Sequence, residues 1–110
     1  MSEYFPERGD AVWLNFTPQS GHEQAGRRPA ICLSPSPYNR RVGLALFCPI
    51  TSRVKGYPFE VPIPKKAEIS GVVLSDQVKN LDWRARNIEF IVKLPDNVLD
   101  ETLKKVRTLL

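Results

Sequence analysis

The chain has 110 residues, the size of one ordinary domain, and its 42% hydrophobic and 25% charged residues mark it as globular rather than disordered. No apolar run approaches the roughly 20 residues that span a bilayer, and the opening MSEYFPERGD has no apolar h-region, so neither a membrane span nor a signal peptide is read and the expected location is cytoplasmic. A formal net charge of +4 favours a polyanionic partner without naming one.

Ten prolines and six glycines cut the chain into short segments rich in Val, Ile, Phe and Leu, which predicts a mostly-β domain. No repeat, low-complexity tract or linker interrupts it, so residues 1–110 read as one domain. Residues 10–17, DAVWLNFT, alternate, with Val12, Leu14 and Phe16 on one face and Trp13, Asn15 and Thr17 on the other, the period of a half-buried strand. SGHEQAGRRPA, 20–30, follows. It crowds His22, Glu23, Gln24, Arg27 and Arg28 into a loop punctuated by Gly21 and Gly26.

PAICLS (29–34) and GLALFCPI (43–50) are continuous apolar runs and read as strands. FEVPIP (59–64) places Phe59, Val61 and Ile63 on one side, with Pro62 and Pro64 on the other. Proline gives no amide donor, so this strand belongs at an edge or a bulge. KAEIS (66–70) reads as a short helical turn, and GVVLSDQV (71–78) and IEFIVKL (88–94) as further strands. After Pro95, Asp96 can cap a helix on which Leu99, Leu103, Val106 and Leu110 form one apolar stripe, with cationic residues near its C-terminus. The expected fold class is mainly β with a C-terminal helix, the helix closing one end of a small barrel. Cys32 and Cys48 lie in apolar runs and read as buried free thiols.

Three polar stretches stand out: the 20–30 loop; ITSRVKGYPFE, 50–60, with Thr51, Ser52, Arg53 and Lys55; and SDQVKNLDWRAR, 75–86, with Asp76, Gln77, Lys79, Trp83, Arg84 and Arg86. Each has a plain alternative: a solvated connector, a hairpin with solvated cations, and a strand leaving the core with Trp83 packed. The first alternative is the weakest, because folding gains nothing from stacking Glu, Gln and Arg in a glycine-flanked loop, and functional residues concentrate on loops held by strands. The chain has no GxxxxGK[ST] or GxGxxG cradle. A single histidine rules out a histidine-pair nuclease, and one histidine with two distant cysteines makes no zinc spacing, so no metal and no cofactor is expected. Arginine, glutamate, threonine, glutamine and lysine remain. That set suits a phosphate, because the guanidinium fork matches phosphate oxygens and can hold the extra charge of a transition state. RNA cleavage needs no outside nucleophile, since the neighbouring 2′-OH attacks. Arg53, Lys55, Lys79, Arg84 and Arg86 are placed to steer a polyanion, and Trp83 or Tyr57 to stack on a base.

Four motifs in order, EQAGRRPA (23–30), LSPxxYN (Leu33 to Asn39), P-x-T-S-x-x-KGYPFE (Pro49 to Glu60) and DQVKxxxWRAR (Asp76 to Arg86), resemble the MazF/PemK toxins of bacterial toxin–antitoxin pairs. The resemblance runs from about Tyr4 to the final helix, and KGYPFE, DQVK and WRAR point to the MazF and ChpB branch. It implies an SH3-like β-barrel forming a homodimer, and a sequence-specific, metal-independent endoribonuclease acting on single-stranded mRNA. Products would carry a 2′,3′-cyclic phosphate and a 5′-hydroxyl. A MazE-like antitoxin would occupy the RNA groove, and DNA would be reached only through that antitoxin. By position, Arg28, Thr51 and Glu23 match the family's catalytic residues. Gln24, Ser52, Arg53, Lys55, Tyr57, Asp76, Gln77, Lys79, Arg84 and Arg86 are the candidate RNA contacts. His22 and Arg27 fall at variable positions and carry no expected role. Residues 15–20 and 52–56 depart from well-known members in loops that contribute to base choice. Two other functions are weighed: a CcdB-like gyrase poison, against which the tryptophan-free tail KKVRTLL counts, and a noncatalytic RNA-binding barrel.

Overall fold

The structure is a computed structural model that describes residues 3–16, 26–65 and 67–110. Alternation sets the first strand. β1 (Asp10–Phe16) buries Val12, Leu14 and Phe16 on one face and exposes Trp13 on the other. Ala11, on the Trp13 side, is buried as well, because apolar clusters form on both faces of the sheet.

β2 (Gly26–Cys32) runs antiparallel to β1, with Leu14 opposite Arg28 and Val12 opposite Ala30. It starts earlier than the PAICLS run predicts, so Arg27 and Arg28 belong to a strand, not to the loop. Pro29 does not prevent this. The ladder from β2 to β3 (Leu44–Thr51) covers only Ala30–Cys32, so the missing amide of Pro29 removes none of its bonds. Beyond Gly43, β3 is the longest strand and has three partners. It pairs β2 through Phe47–Pro49, β6 (Lys79–Asp82) through Leu44–Phe47, and β5 (Val72–Leu74) through Ile50 and Thr51. β4 (Glu60–Pro62) pairs β5 and forms one end of the path β4-β5-β3-β2-β1-β7, where the prolines of FEVPIP predict an edge. β7 (Glu89–Lys93) forms the other end, beside β1, so the sheet is barrel-like with its strand path open between β4 and β7.

The C-terminal helix α2 (Asp96–Arg107) lies over the cluster of Ile31, Cys48, Ile50 and Val73. It buries Val98, Thr102 and Val106, with Leu99 and Leu103 packed partly beside them. The buried stripe thus begins one residue before the expected one, and Leu110 lies exposed beyond the helix. Asp96 is not the cap. Pro95 holds that position without a side-chain bond, and Asp96 sits in the first turn, where the helix dipole favours a carboxylate. No helix among the described residues is long and apolar enough to cross a membrane.

Four elements are not anticipated by the sequence patterns. β6 is one, and two are 3₁₀ turns, Ser75–Gln77 and Arg84–Arg86, the first of which cuts the expected 71–78 strand back to Val72–Leu74. The fourth is α1 (Ser36–Val42), whose proline at the first positions removes only an amide that has no helical partner and whose end is Gly43 at φ 82°. The expected helical turn at 66–70 is absent among the described residues. The Ala67 N–H instead closes a turn on the Pro64 carbonyl at 3.1 Å.

The LSPxxYN segment has its physical basis in the core. Asn39 is fully buried. Its Nδ2 donates to the carbonyls of Pro6 (2.8 Å) and Ser34 (3.0 Å), and its Oδ1 accepts from the Ser34 hydroxyl at 2.5 Å. Its own carbonyl accepts from the Trp83 indole at 3.0 Å, while Ser34 Oγ accepts from the Leu46 amide at 2.9 Å. One side chain and its backbone therefore join the N-terminal segment, α1, β3 and the end of β6. Cys32 and Cys48 are buried free thiols in opposite clusters, and burial pushes them up to about 11 and about 12 respectively.

Two substitutions test this frame. Asn39→Ala leaves the Pro6 carbonyl and the Ser34 hydroxyl hydrogen unmet and the Ser34 carbonyl with only the Cys32 thiol, at about 1–3 kcal/mol for each buried group left unmet; urea unfolding should show a total loss of about 3 kcal/mol or more, and a loss below about 1 kcal/mol would remove Asn39 as the joint. Gly71 has φ 116°, and a Cβ there would stand 2.1 Å from the Thr51 carbonyl oxygen. Gly71→Ala should lower stability by about 1–3 kcal/mol from backbone strain alone, with the overlap adding to that; a variant as stable as the parent would contradict the close fit of β5 on β3.

Candidate active site

The polar end of β3 builds the site. Thr51 is the last residue of the strand, buried and opposite Val72. Its Oγ1 accepts a hydrogen bond from the Arg53 amide at 3.1 Å, which turns the chain as it leaves the sheet and leaves the hydroxyl hydrogen to donate elsewhere. The chain re-enters the sheet at Glu60, also buried. The Glu60 carboxylate reaches back into the connection, where Oε2 accepts from the Lys55 amide at 3.0 Å and Oε1 from the Gly56 amide at 2.9 Å.

The opposite wall comes from the 3₁₀ turn Ser75–Gln77 after β5. Ser75 is fixed to the Phe59 carbonyl through its amide (3.1 Å) and its hydroxyl (2.5 Å). Tyr57 crosses the gap, its hydroxyl donating to Asp76 Oδ2 at 2.5 Å. Burial, then this bond to a carboxylate, pushes the Tyr57 phenol up to about 12, so near neutral pH it is a neutral donor. These walls enclose a cavity of about 300 Å3 lined by Thr51, Arg53, Lys55, Tyr57, Glu60, Leu74 and Gln77. Two cations, two hydroxyls and an amide face a space of nucleotide size, and the one carboxylate in the lining has its oxygens engaged by backbone amides. The arrangement suits an anion flanked by a hydrogen-bonding ring, such as a phosphodiester and its base.

Of the residues predicted from sequence, Thr51, Arg53, Lys55, Tyr57 and Gln77 share this cavity, Asp76 is tied to Tyr57, and Ser52 lies exposed between Thr51 and Arg53. Arg28 is half-buried in β2 and is not among the described lining residues. The β2–β3 ladder ends at Ala30 opposite Pro49, so Arg28 lies two residues beyond it, on the same face of β2 as Ala30. Lys79 opens β6 opposite Phe47, four residues down β3 from Thr51, or roughly 13 Å of strand. Arg84 and Arg86 have tasks in the fold. Arg84 stacks on Trp83 at 4.8 Å and donates to the Arg40 carbonyl at 3.2 Å, and Arg86 donates to the Asn15 carbonyl at 3.0 Å. Glu23 and Gln24, with His22 and Gly21, lie outside the described residues.

Arg27 and Arg28 point to opposite faces of β2. Arg27 binds the Asn15 side chain (3.2 Å), the Asn87 carbonyl (2.9 Å) and the Glu89 carboxylate (3.0 Å), and so joins β2 to the strands around it. Sequence patterns alone assign Glu60 no role. The signal for it is a lone acid closing a basic, glycine-containing connection at the head of an edge strand.

Residues 7–110 match the family model described as PemK-like, MazF-like toxin of type II toxin–antitoxin system. Over 86 residues, 78% of this chain and 77% of the relative, the sequence is 51% identical to the endoribonuclease toxin MazF of Escherichia coli strain K12. The fold matches the crystal structure of MazF (Form-I) from Deinococcus radiodurans with a TM-score of 0.94 at 54% identity, covering 97% of each chain. It also matches a MazE–MazF structure (Form-II) from that organism, with a TM-score of 0.88 at 54% identity over 97% of this chain and 96% of that one. With the family match covering almost the whole sequence, the chain belongs to the PemK-like, MazF-like toxin family of type II toxin–antitoxin systems.

Proposed function

We propose that the chain is the toxin of a type II pair, an endoribonuclease that cuts single-stranded mRNA at specified sequences in the cytoplasm and thereby stops translation and growth. The observation that carries this reading is the cationic, hydroxyl-lined cavity at the end of β3, on a fold that matches MazF over nearly its whole length. The 2′-OH beside the scissile bond attacks the phosphorus. Its proton passes to a base, the P–O5′ bond breaks, and the 5′-oxygen leaves with a proton. The products are a 2′,3′-cyclic phosphate and a 5′-hydroxyl, and no metal is required.

In this reading Arg28 places its guanidinium on the non-bridging oxygens and holds the charge that grows there, a task suited to a group that stays protonated. The Thr51 hydroxyl donates to a phosphate oxygen from its fixed place at the strand end. Glu23 orients Arg28 or takes the 2′-OH proton. Gln24, Ser52, Arg53, Lys55, Tyr57, Asp76, Gln77 and Lys79 hold the flanking nucleotides, and Arg84 and Arg86 add to the positive field that draws in the strand. Two copies form the working dimer. A MazE-like antitoxin silences it by covering the RNA surface, as a partner of the kind seen in the MazE–MazF structures of the relative.

The purified chain should cut single-stranded RNA in the presence of EDTA, and a single 2′-deoxy nucleotide at the cut should abolish cleavage there. Cleavage of the substituted strand would rule out internal attack, and gyrase-dependent DNA breaks without RNA cleavage would favour the gyrase poison. Arg28→Ala should lower kcat by about 10²–10³, the usual effect of removing one donor from a developing oxyanion. Arg27→Ala removes an exposed ion pair worth ~0.2–1 kcal/mol and should leave the rate within a few-fold of the parent. Equal losses in the two variants would end the distinction between the neighbouring arginines.

A further inference from the structure

Glu60 is an acid where an RNA-binding surface has least use for one. It lines the cavity beside Arg53 and Lys55, and an open carboxylate there would repel phosphate. It is held differently. The residue is 7% exposed, and its two oxygens accept the successive amides of Lys55 and Gly56 at 3.0 and 2.9 Å. Two adjacent N–H groups converging on one carboxylate fix the backbone at the point where Lys55 leaves the chain. Gly56 completes the turn at φ 83°, and a Cβ there would meet no atom within 4 Å, so the backbone conformation alone calls for glycine. The Tyr57 carbonyl accepts the Glu60 amide at 3.1 Å, closing the same turn. From outside, the Lys105 ammonium on α2 donates to the carbonyls of Pro58 and Glu60, the latter at 3.5 Å.

We infer that Glu60 is a positioning residue for RNA recognition: its buried carboxylate presets the 53–57 connection so that Lys55, Arg53 and Tyr57 meet the strand in one geometry. The inference rests on the endoribonuclease reading for its substrate. Glu60 touches no reacting atom, so its effect belongs to substrate binding and site choice, not to the chemical step.

Glu60→Gln keeps the volume but sets an NH2 group against one of the two amides, so one bond is lost and a donor faces a donor. With a cleavable oligonucleotide, KM should rise about tenfold with kcat within about twofold of the parent, and cleavage should spread to sites the parent leaves intact. Gly56→Ala disturbs the same turn through its backbone and should give the same KM signature even if Glu60→Gln folds poorly. Two readouts do not need cleavage. Hydrogen exchange at the Lys55 and Gly56 amides should be slow in the parent and fast in Glu60→Gln, and affinity for a non-cleavable 2′-deoxy-substituted strand should fall about tenfold. Unchanged KM, cleavage pattern and amide exchange in Glu60→Gln, or a fall in kcat alone, would overturn the inference. A parent that binds the strand but does not cut it would overturn the nuclease reading and leave Glu60 to the exchange and affinity results.

Discussion

One strand has to serve three ladders. β3 has two edges, and it gives one to β2 while dividing the other between β6 and β5. The change of partner occurs within a few residues of its end, so Thr51 emerges at the junction of two parts of the sheet. A residue placed there is held by backbone pairing on one side and opens onto a cavity on the other. The site depends on this placement more than on any single contact. The cationic connection follows directly, the 3₁₀ turn that completes the wall begins where β5 ends, and Arg28, the proposed phosphate clamp, lies on the neighbouring strand. Gly71 allows the approach, because the strand that follows it lies against the Thr51 backbone too closely for a Cβ at that position.

The motifs that mark the family mix two kinds of residue. Within LSPxxYN, the Asn39 and Ser34 side chains satisfy one another and three backbone groups in the core, and the Asn39 carbonyl takes the Trp83 indole, which is structural work. In WRAR, Trp83 is buried with its indole on the Asn39 carbonyl, and both arginines bind backbone carbonyls of distant segments. The Thr51 and KGYPFE segment surrounds the cavity. A basic residue is thus a poor guide by itself. Arg27 and Arg28 are adjacent and chemically identical, and strand alternation sends one to a clasp among β-strands and turns the other to the opposite face, the face of Leu14 and Ala30.

Much of this architecture is legible in the amino-acid sequence. β1 is plain from its alternation, the β4 edge from its prolines and α2 from its stripe, because each is decided by local periodicity or by a missing donor. The cavity residues at 51–57 and 77 stand out because polar side chains directly after an apolar strand have few structural reasons to be there. What local patterns hide is decided by tertiary pairing. β2 reaches back to Gly26 because β1 is beside it, although Arg27 and Arg28 look like loop. β6 is a short polar stretch that becomes a strand only against β3. α1 is the shorter of the two α-helices, carries two prolines in or next to its first turn, and is held chiefly by the buried Asn39. Glu60 is only a motif letter in the sequence, and its role emerges from the two backbone amides it accepts.

The placement of the two thiols has its own consequence. Cys32 and Cys48 sit on neighbouring strands, close in the ladder, yet the pleat sends them into opposite clusters, away from solvent. They can neither bridge one another without inverting a strand nor ionise readily enough to meet an oxidant. The fold is accordingly indifferent to the thiol balance of its surroundings: a cell under oxidative stress would neither crosslink this interior nor inactivate the chain through its cysteines.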